Sequence, residues 1–256
     1  MLQPHSLLWH YLWLGPQVLQ VALAIFLWRR GLHRQFPVFF AYLVVEAIEA
    51  FALYGMDVLP WVSGETWWRT FCVGLVIEGF IRFAVMGELF LHLLRTRPAI
   101  AKVGSRLISG TGAALVLIAT LAAAYAPVDS QQFAIGYRAH LLQQTLYMIE
   151  CGLILFLFVF AACFRLAWDR ASLGIGLGRG ISSSVHLATW AVMANGGVIH
   201  NRYLLSLLNM ATYHVCVLIW FYYLLVPQKI ATTSTAPLPE NNLDIWNREL
   251  ERLLQQ

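Results

Sequence analysis

The 256-residue chain is 59% apolar and only 12% charged, with a mean hydropathy of +0.65 and a formal net charge of +4. A soluble domain carries about 25% charged residues, so a soluble globular fold is excluded, as is an anchor joined to a large separate domain. The ~10-residue alternation of a membrane barrel is missing, which leaves an all-α integral membrane protein. The positive charges fall in short connections rather than on one patch, so no nucleic-acid partner is expected.

A bilayer core of ~30 Å needs about 20 helical residues, and backbone groups in hydrocarbon must bond within their own segment. Seven apolar runs meet that need, at residues 7–28, 37–56, 70–94, 107–126, 141–164, 181–199 and 203–226. They predict a seven-helix transmembrane domain over 1–228.

The first run contains Gly15-Pro16, which predicts a kink. No positive charge precedes it and Arg29-Arg30 follow, so it reads as an uncleaved helix rather than a signal peptide. The second opens at Pro37, where a missing N–H does no harm, and carries Tyr42, Glu46 and Glu49. The third carries Glu78, Arg82, Glu88 and His92 within an arc of about 120°.

Pro98 and Pro127 read as lying just past helix ends. The fourth run has no charge within 107–126. It is expected to be the most peripheral helix, or to pack through Gly110, Gly112 and Ala114. The fifth carries a stripe of Gln143, Tyr147 and Glu150. Gly174, Gly176, Gly178 and Gly180 precede the sixth run. They lack the Lys-Ser/Thr pair and preceding strand of a phosphate loop, and read as a flexible connection. The seventh run carries Ser206, Asn209, Tyr213 and His214.

Residues 229–240 read as a flexible linker, and 241–256 as a short amphipathic helix. Leu243, Trp246, Leu250, Leu253 and Leu254 share one face. Its charge between Asp244 and Arg252 is −1, whereas helices that lie on anionic lipid are rich in Lys and Arg. The helix is therefore expected to dock on protein, either a cytoplasmic partner through 243–254 or the inner face of its own bundle.

Assigning alternate connections to opposite sides puts Arg29, Arg30, Arg34, Arg95, Arg97, Lys102, Arg106, Arg165, Arg170, Arg179 and Lys229 on one side. Arg69, Arg138 and Arg202 fall on the other. Positive connections stay cytoplasmic, so the N-terminus is expected outside and the C-terminus inside, in a cytoplasmic (inner) membrane. Trp9, Tyr11, Trp13, Trp61, Trp67 and Trp68 would form the outer aromatic belt, and Trp28, Trp168, Tyr222 and Tyr223 the inner one.

An internal three-plus-one-plus-three repeat of the transporter kind finds no residue matches, since the second helix has two acids and the sixth none. Retinal needs a lysine in the last helix, and 203–226 contains none; no cofactor is predicted. The eight histidines form no zincin spacing, and Glu88, His92 and His186 are only weak candidates for a metal. The oligomeric state is not read from the sequence.

Intramembrane charge is costly, at ~2.5–3.5 kcal/mol per residue on insertion scales. Centring each helix on its run brings Glu46, Glu49, Arg82, Glu150 and His214 to within ~3 Å of one plane, with Glu78 about 6 Å beyond. Together with Tyr42, Tyr147, Asn209 and Tyr213 they form the candidate ligand-, ion- or proton-binding site. Arg82 is expected to pair with Glu78 and with Glu46 or Glu49. Three function classes fit: a receptor-like sensor coupled to a cytoplasmic partner, a small ion- or proton-coupled transporter, and an intramembrane metal-dependent enzyme. The sensor is favoured by the missing repeat and the C-terminal helix, so a non-enzymatic role is expected.

Overall fold

The computed structural model describes residues 6–95, 98–127, 134–194 and 202–226. These form seven helices: α1 (Leu7–Arg29), α2 (Pro37–Val58), α3 (Gly64–Leu93), α4 (Pro98–Ala124), α5 (Ala134–Cys163), α6 (Arg170–Ala194) and α7 (Arg202–Leu225). A single 3-10 turn, Leu32–Arg34, joins α1 to α2 after Gly31, whose φ of 71° a side chain would resist. No strand occurs among the described residues. The chain divides into two units, 1–225 and 226–256. The second, with the expected linker and amphipathic helix, lies outside the described residues apart from Val226.

Local chemistry sets the helix starts. The Ser6 hydroxyl accepts from the Trp9 N–H at 3.3 Å and opens α1. The Ser63 hydroxyl accepts from the Thr66 N–H at 3.2 Å and opens α3 six residues before its apolar run. Pro98 lies past the end of α3 and begins α4, the position where proline is tolerated best. Pro16 lies inside a continuous α1.

The largest departure concerns the glycine series. Residues 174–180 are not a flexible connection; they are helical, and α6 begins at Arg170. The glycines serve close packing. A Cβ on Gly174 would strike Tyr223, and one on Gly178 would strike Trp220. The small residues thus let α6 approach α7. Arg179, counted above as a residue of a connection, lies mid-helix and is buried.

Helices α1, α2, α3, α5, α6 and α7 close a ring, each packed on the next, and α3 also reaches α6. α4 lies outside the ring on α3 and α5. It is peripheral as expected and seats Gly104 and Gly112 against Phe90 and Phe83, while Gly110 faces open space. The end of the bundle at which α1 begins is termed the upper end. The lower half is filled by a continuous apolar core that includes Leu23, Phe39, Leu43, Met86, Ile175, Val217 and Trp220.

All the helices except α6 are long and apolar enough to cross a membrane, as a multi-pass helical membrane protein requires. α6 has the length but carries Arg179, Ser182, Ser183 and His186. Ile25, Ile48, Val73, Ile118, Leu155 and Leu218 point outward and are exposed, which suits contact with lipid chains rather than water.

Candidate functional site

Six helices, all but α4, line a cavity of about 990 Å³. Its upper part is aromatic, with Trp9 and Trp13 from α1, Trp67 and Phe71 from α3, Tyr137 and His140 from α5 and Trp190 from α6. Three of the tryptophans assigned to a lipid-facing belt thus line the cavity. Asp57 and the 52%-exposed Tyr137 lie at its rim, so the chamber opens at the upper end. Gln17, Glu46, Glu49, Glu78, Arg82, Tyr147, Arg179, His186 and Tyr213 line it at mid-depth. Beneath them lies the apolar lower core.

Two buried guanidinium groups organise the floor. Arg179 is 1% exposed. Its Nε donates to Glu150 Oε1 at 2.7 Å, its Nη2 donates to the same oxygen, and its Nη1 donates to the Tyr42 hydroxyl at 2.5 Å. Arg82 pairs with Glu78 one turn away. It also lies 3.8 Å from Glu150 Oε2 and 4.7 Å from the centroid of the Tyr147 ring. Glu150, itself 1% exposed, therefore bridges two cations. Such an arrangement offsets desolvation because each buried charge meets an opposite one.

Glu46 and Glu49 stand within electrostatic reach of Arg82 and Glu78 but form no ion pair with either arginine among the described residues. Glu46 accepts from Gln20 Nε2 at 3.1 Å, and Gln20 Oε1 in turn accepts from the Tyr213 hydroxyl at 2.7 Å. Glu49 makes no hydrogen bond or ion pair with any described residue, and its carboxylate packs against Gly74. Gln17 is 8% exposed and its Oε1 has no hydrogen-bond partner. His186 stacks on Tyr147 with ring centroids 4.5 Å apart and donates from Nδ1 to the Ser182 carbonyl. Asn209 accepts from Thr189 at 3.1 Å.

Of the residues singled out in the sequence, Tyr42, Glu46, Glu49, Glu78, Arg82, Tyr147, Glu150, Asn209 and Tyr213 come together in or beneath this chamber. His214 does not line it and packs 5.7 Å from the Tyr11 ring. Arg82 takes Glu150 as its partner across the helix interface, where Glu46 or Glu49 was expected, because Arg82 and Glu150 face each other between α3 and α5.

Of the metal candidates, Glu88 and His92 are neighbours on α3, and His186 lies apart from them. Glu88 accepts from the Val38 and Phe39 N–H groups at 3.0 and 2.9 Å. It supplies the cap that Phe36 lacks at the start of α2. His92 stacks on Phe36, and His186 lies in the chamber. No group of three His, Cys, Asp or Glu converges among the described residues.

Arg179, Gln17 and Gln20 escaped the sequence reading. For Arg179 a signal existed: Ser172, Arg179, Ser182, Ser183, His186 and Thr189 recur at helical spacing. The chain matches no protein-family model, no curated protein and no solved structure.

Proposed function

We propose that the protein is a receptor-like membrane sensor that admits a small ligand to the chamber from its upper end and passes the bound state to a partner at the lower end. The observation that supports this is the closed lower half. The cavity stops at the Arg82–Glu150–Arg179 layer, and Phe39, Met86, Ile175, Val217 and Trp220 fill the bundle beyond it. A chamber with one mouth suits occupancy rather than passage. Its volume is that of a site for a small organic molecule.

In this reading the upper end faces outward, α6 is the seventh crossing, and residues 243–254 contact the cytoplasmic partner. The bundle sits in a cytoplasmic membrane. α6 tolerates its polar residues there because Arg179, Ser182 and Ser183 are buried against neighbouring helices rather than turned to lipid.

A second reading, a proton- or ion-coupled transporter, is favoured by one observation. Glu46, Glu49, Glu78 and Glu150 outnumber Arg82 and Arg179 by two at mid-depth. Accessibility separates the two readings. Ser206 lines the chamber, so Ser206→Cys should react with a membrane-impermeant thiol reagent from the upper side only. That sidedness should hold under any ion or proton gradient. Labelling from the lower side under any gradient would reject the sensor in favour of alternating access.

A further inference from the structure

We infer that the ligand of this chamber is an organic ammonium ion, its charge held among Glu46, Glu49 and the Gln17 Oε1 and its apolar body held by the tryptophans of the mouth. The inference rests on the proposed role of the chamber and narrows it to one chemical class.

Charge is the starting point. Arg82 is engaged by Glu78 and Glu150, and Arg179 by Glu150 and Tyr42. Neither guanidinium serves Glu46 or Glu49 through a hydrogen bond or an ion pair. The hydrogen-bond partners of Glu46 are neutral: Gln20, with the hydroxyls of Tyr42 and Tyr213 beside it. Glu49 has none among the described residues. An uncompensated carboxylate in a confined, apolar-walled space favours a cation beside it.

The second observation is independent of charge. Gln17 lines the same chamber, and its Oε1 is buried without a hydrogen-bond partner. Its position matches that of Glu49. Gln20 on α1 bonds Glu46 on α2, and a step of three residues toward the upper end leads from Gln20 to Gln17 and from Glu46 to Glu49. Gln17 and Glu49 therefore lie about one turn above the Gln20–Glu46 bond. An acceptor oxygen at the level of an unpaired carboxylate fits a ligand that donates N–H and carries positive charge.

The walls decide between a metal ion and an organic cation. Trp9, Trp13, Trp67 and Trp190 surround the space above these acceptors. Indole faces attract ammonium groups and cover apolar surface, whereas a hard metal ion needs about six oxygen ligands. A chamber of about 990 Å³ also far exceeds a bare ion. Arg82 and Arg179 are engaged by acids, and no other Arg or Lys among the described residues lines the chamber to receive a phosphate, so a free amine fits better than a phospholipid head group.

The test uses the full-length protein in detergent, with binding read from tryptophan fluorescence and thermal melting. The probes are phenethylammonium, its neutral analogue phenethyl alcohol, the anion 3-phenylpropionate, and glycerophosphoethanolamine. Phenethylammonium should bind saturably and raise the melting temperature, and the neutral and anionic analogues should not. Without ligand, Glu49→Gln should melt no lower than the wild type, since Glu49 makes no hydrogen bond or ion pair with any described residue and its buried charge is costly. Its affinity for phenethylammonium should fall by at least about tenfold, as should that of Gln17→Leu. Glu65→Gln, outside the chamber, should bind as wild type.

Binding of glycerophosphoethanolamine as well would support the ammonium class and identify a lipid head group as its source. Equal binding of phenethyl alcohol, no binding of phenethylammonium, or an unaltered affinity in Glu49→Gln would overturn the inference. A one-mouthed chamber would survive those results; it fails separately, if Ser206→Cys is labelled from the lower side.

Discussion

At the scale of single residues, the floor of the chamber distinguishes structural charge from available charge. Glu150 is a candidate for proton or ligand binding in the sequence because it shares one depth with Glu46, Glu49, Arg82 and His214. In the fold it lies between Arg82 and Arg179. The two arginines are not equivalent. Arg179 makes two bonds to Glu150 and one to Tyr42, while Arg82 is held mainly by Glu78. Removing Arg179 therefore leaves a nearly inaccessible carboxylate with only Arg82, at 3.8 Å, beside it, and breaking a buried pair costs about 3–5 kcal/mol. Arg179→Ala should lower stability by that amount and by more than Arg82→Ala, as measured by chemical denaturation in micelles. The double variant Arg179→Met with Glu150→Leu should recover most of the loss, because apolar residues of similar volume replace the pair without leaving a buried charge. A double variant as unstable as Arg179→Ala would show that the pair does more than neutralise itself. Glu78, Arg82 and Glu150 were legible from the sequence because charge inside an apolar run is conspicuous. Arg179 was not, because it precedes the apolar run of its helix and sits among glycines.

At the scale of helices, glycine carries two opposite meanings, and only packing separates them. In sequence, Gly174 to Gly180 look like a hinge, since glycine lowers helix propensity by about 1 kcal/mol relative to alanine. In the fold they are the surface on which Tyr223, Trp220 and Ile154 rest. A helix buried against a neighbour gains more from close approach than it loses in backbone entropy. The same substitution should therefore change sign with position. Gly178→Ala forces Trp220 to move, and overpacking of this kind costs about 1–3 kcal/mol. Gly110→Ala meets nothing within 4 Å and should stabilise by up to about 1 kcal/mol. Melting temperatures of the two variants check this, and shifts in the same direction would contradict the packing role assigned to the α6 glycines. The apolar runs located all seven helices but missed the starts of α3, α4, α5 and α6. The starts of α3 and α6 lie where the Ser63 and Asp169 side chains accept from the Thr66 and Ser172 N–H groups, so capping rather than hydropathy marks them.

At the scale of the whole molecule, the bundle and its orientation follow from different physics. Hydropathy is enough to specify a helical bundle, but ring order and the exclusion of α4 depend on which faces match, and a single sequence does not display that. Orientation depends on where positive charge lies relative to the membrane. With Arg179 moved into the interior, and with Arg97 and Lys229 outside the described residues, eight of the eleven positive residues assigned to that side remain toward the lower end, against three toward the upper. The asymmetry therefore survives the correction, and the lower end should be cytoplasmic. Gln35 follows the 3-10 turn at the lower end, Pro60 lies between α2 and α3 at the upper end, and both are exposed. With the four free cysteines replaced by alanine, Pro60→Cys should react with an impermeant maleimide in intact cells. Gln35→Cys should react only after the membrane is opened. The mouth of the chamber shares a side with Pro60, so this assay also fixes which compartment supplies the ligand. The reverse pattern would invert the orientation and make the chamber a site for a cytoplasmic molecule.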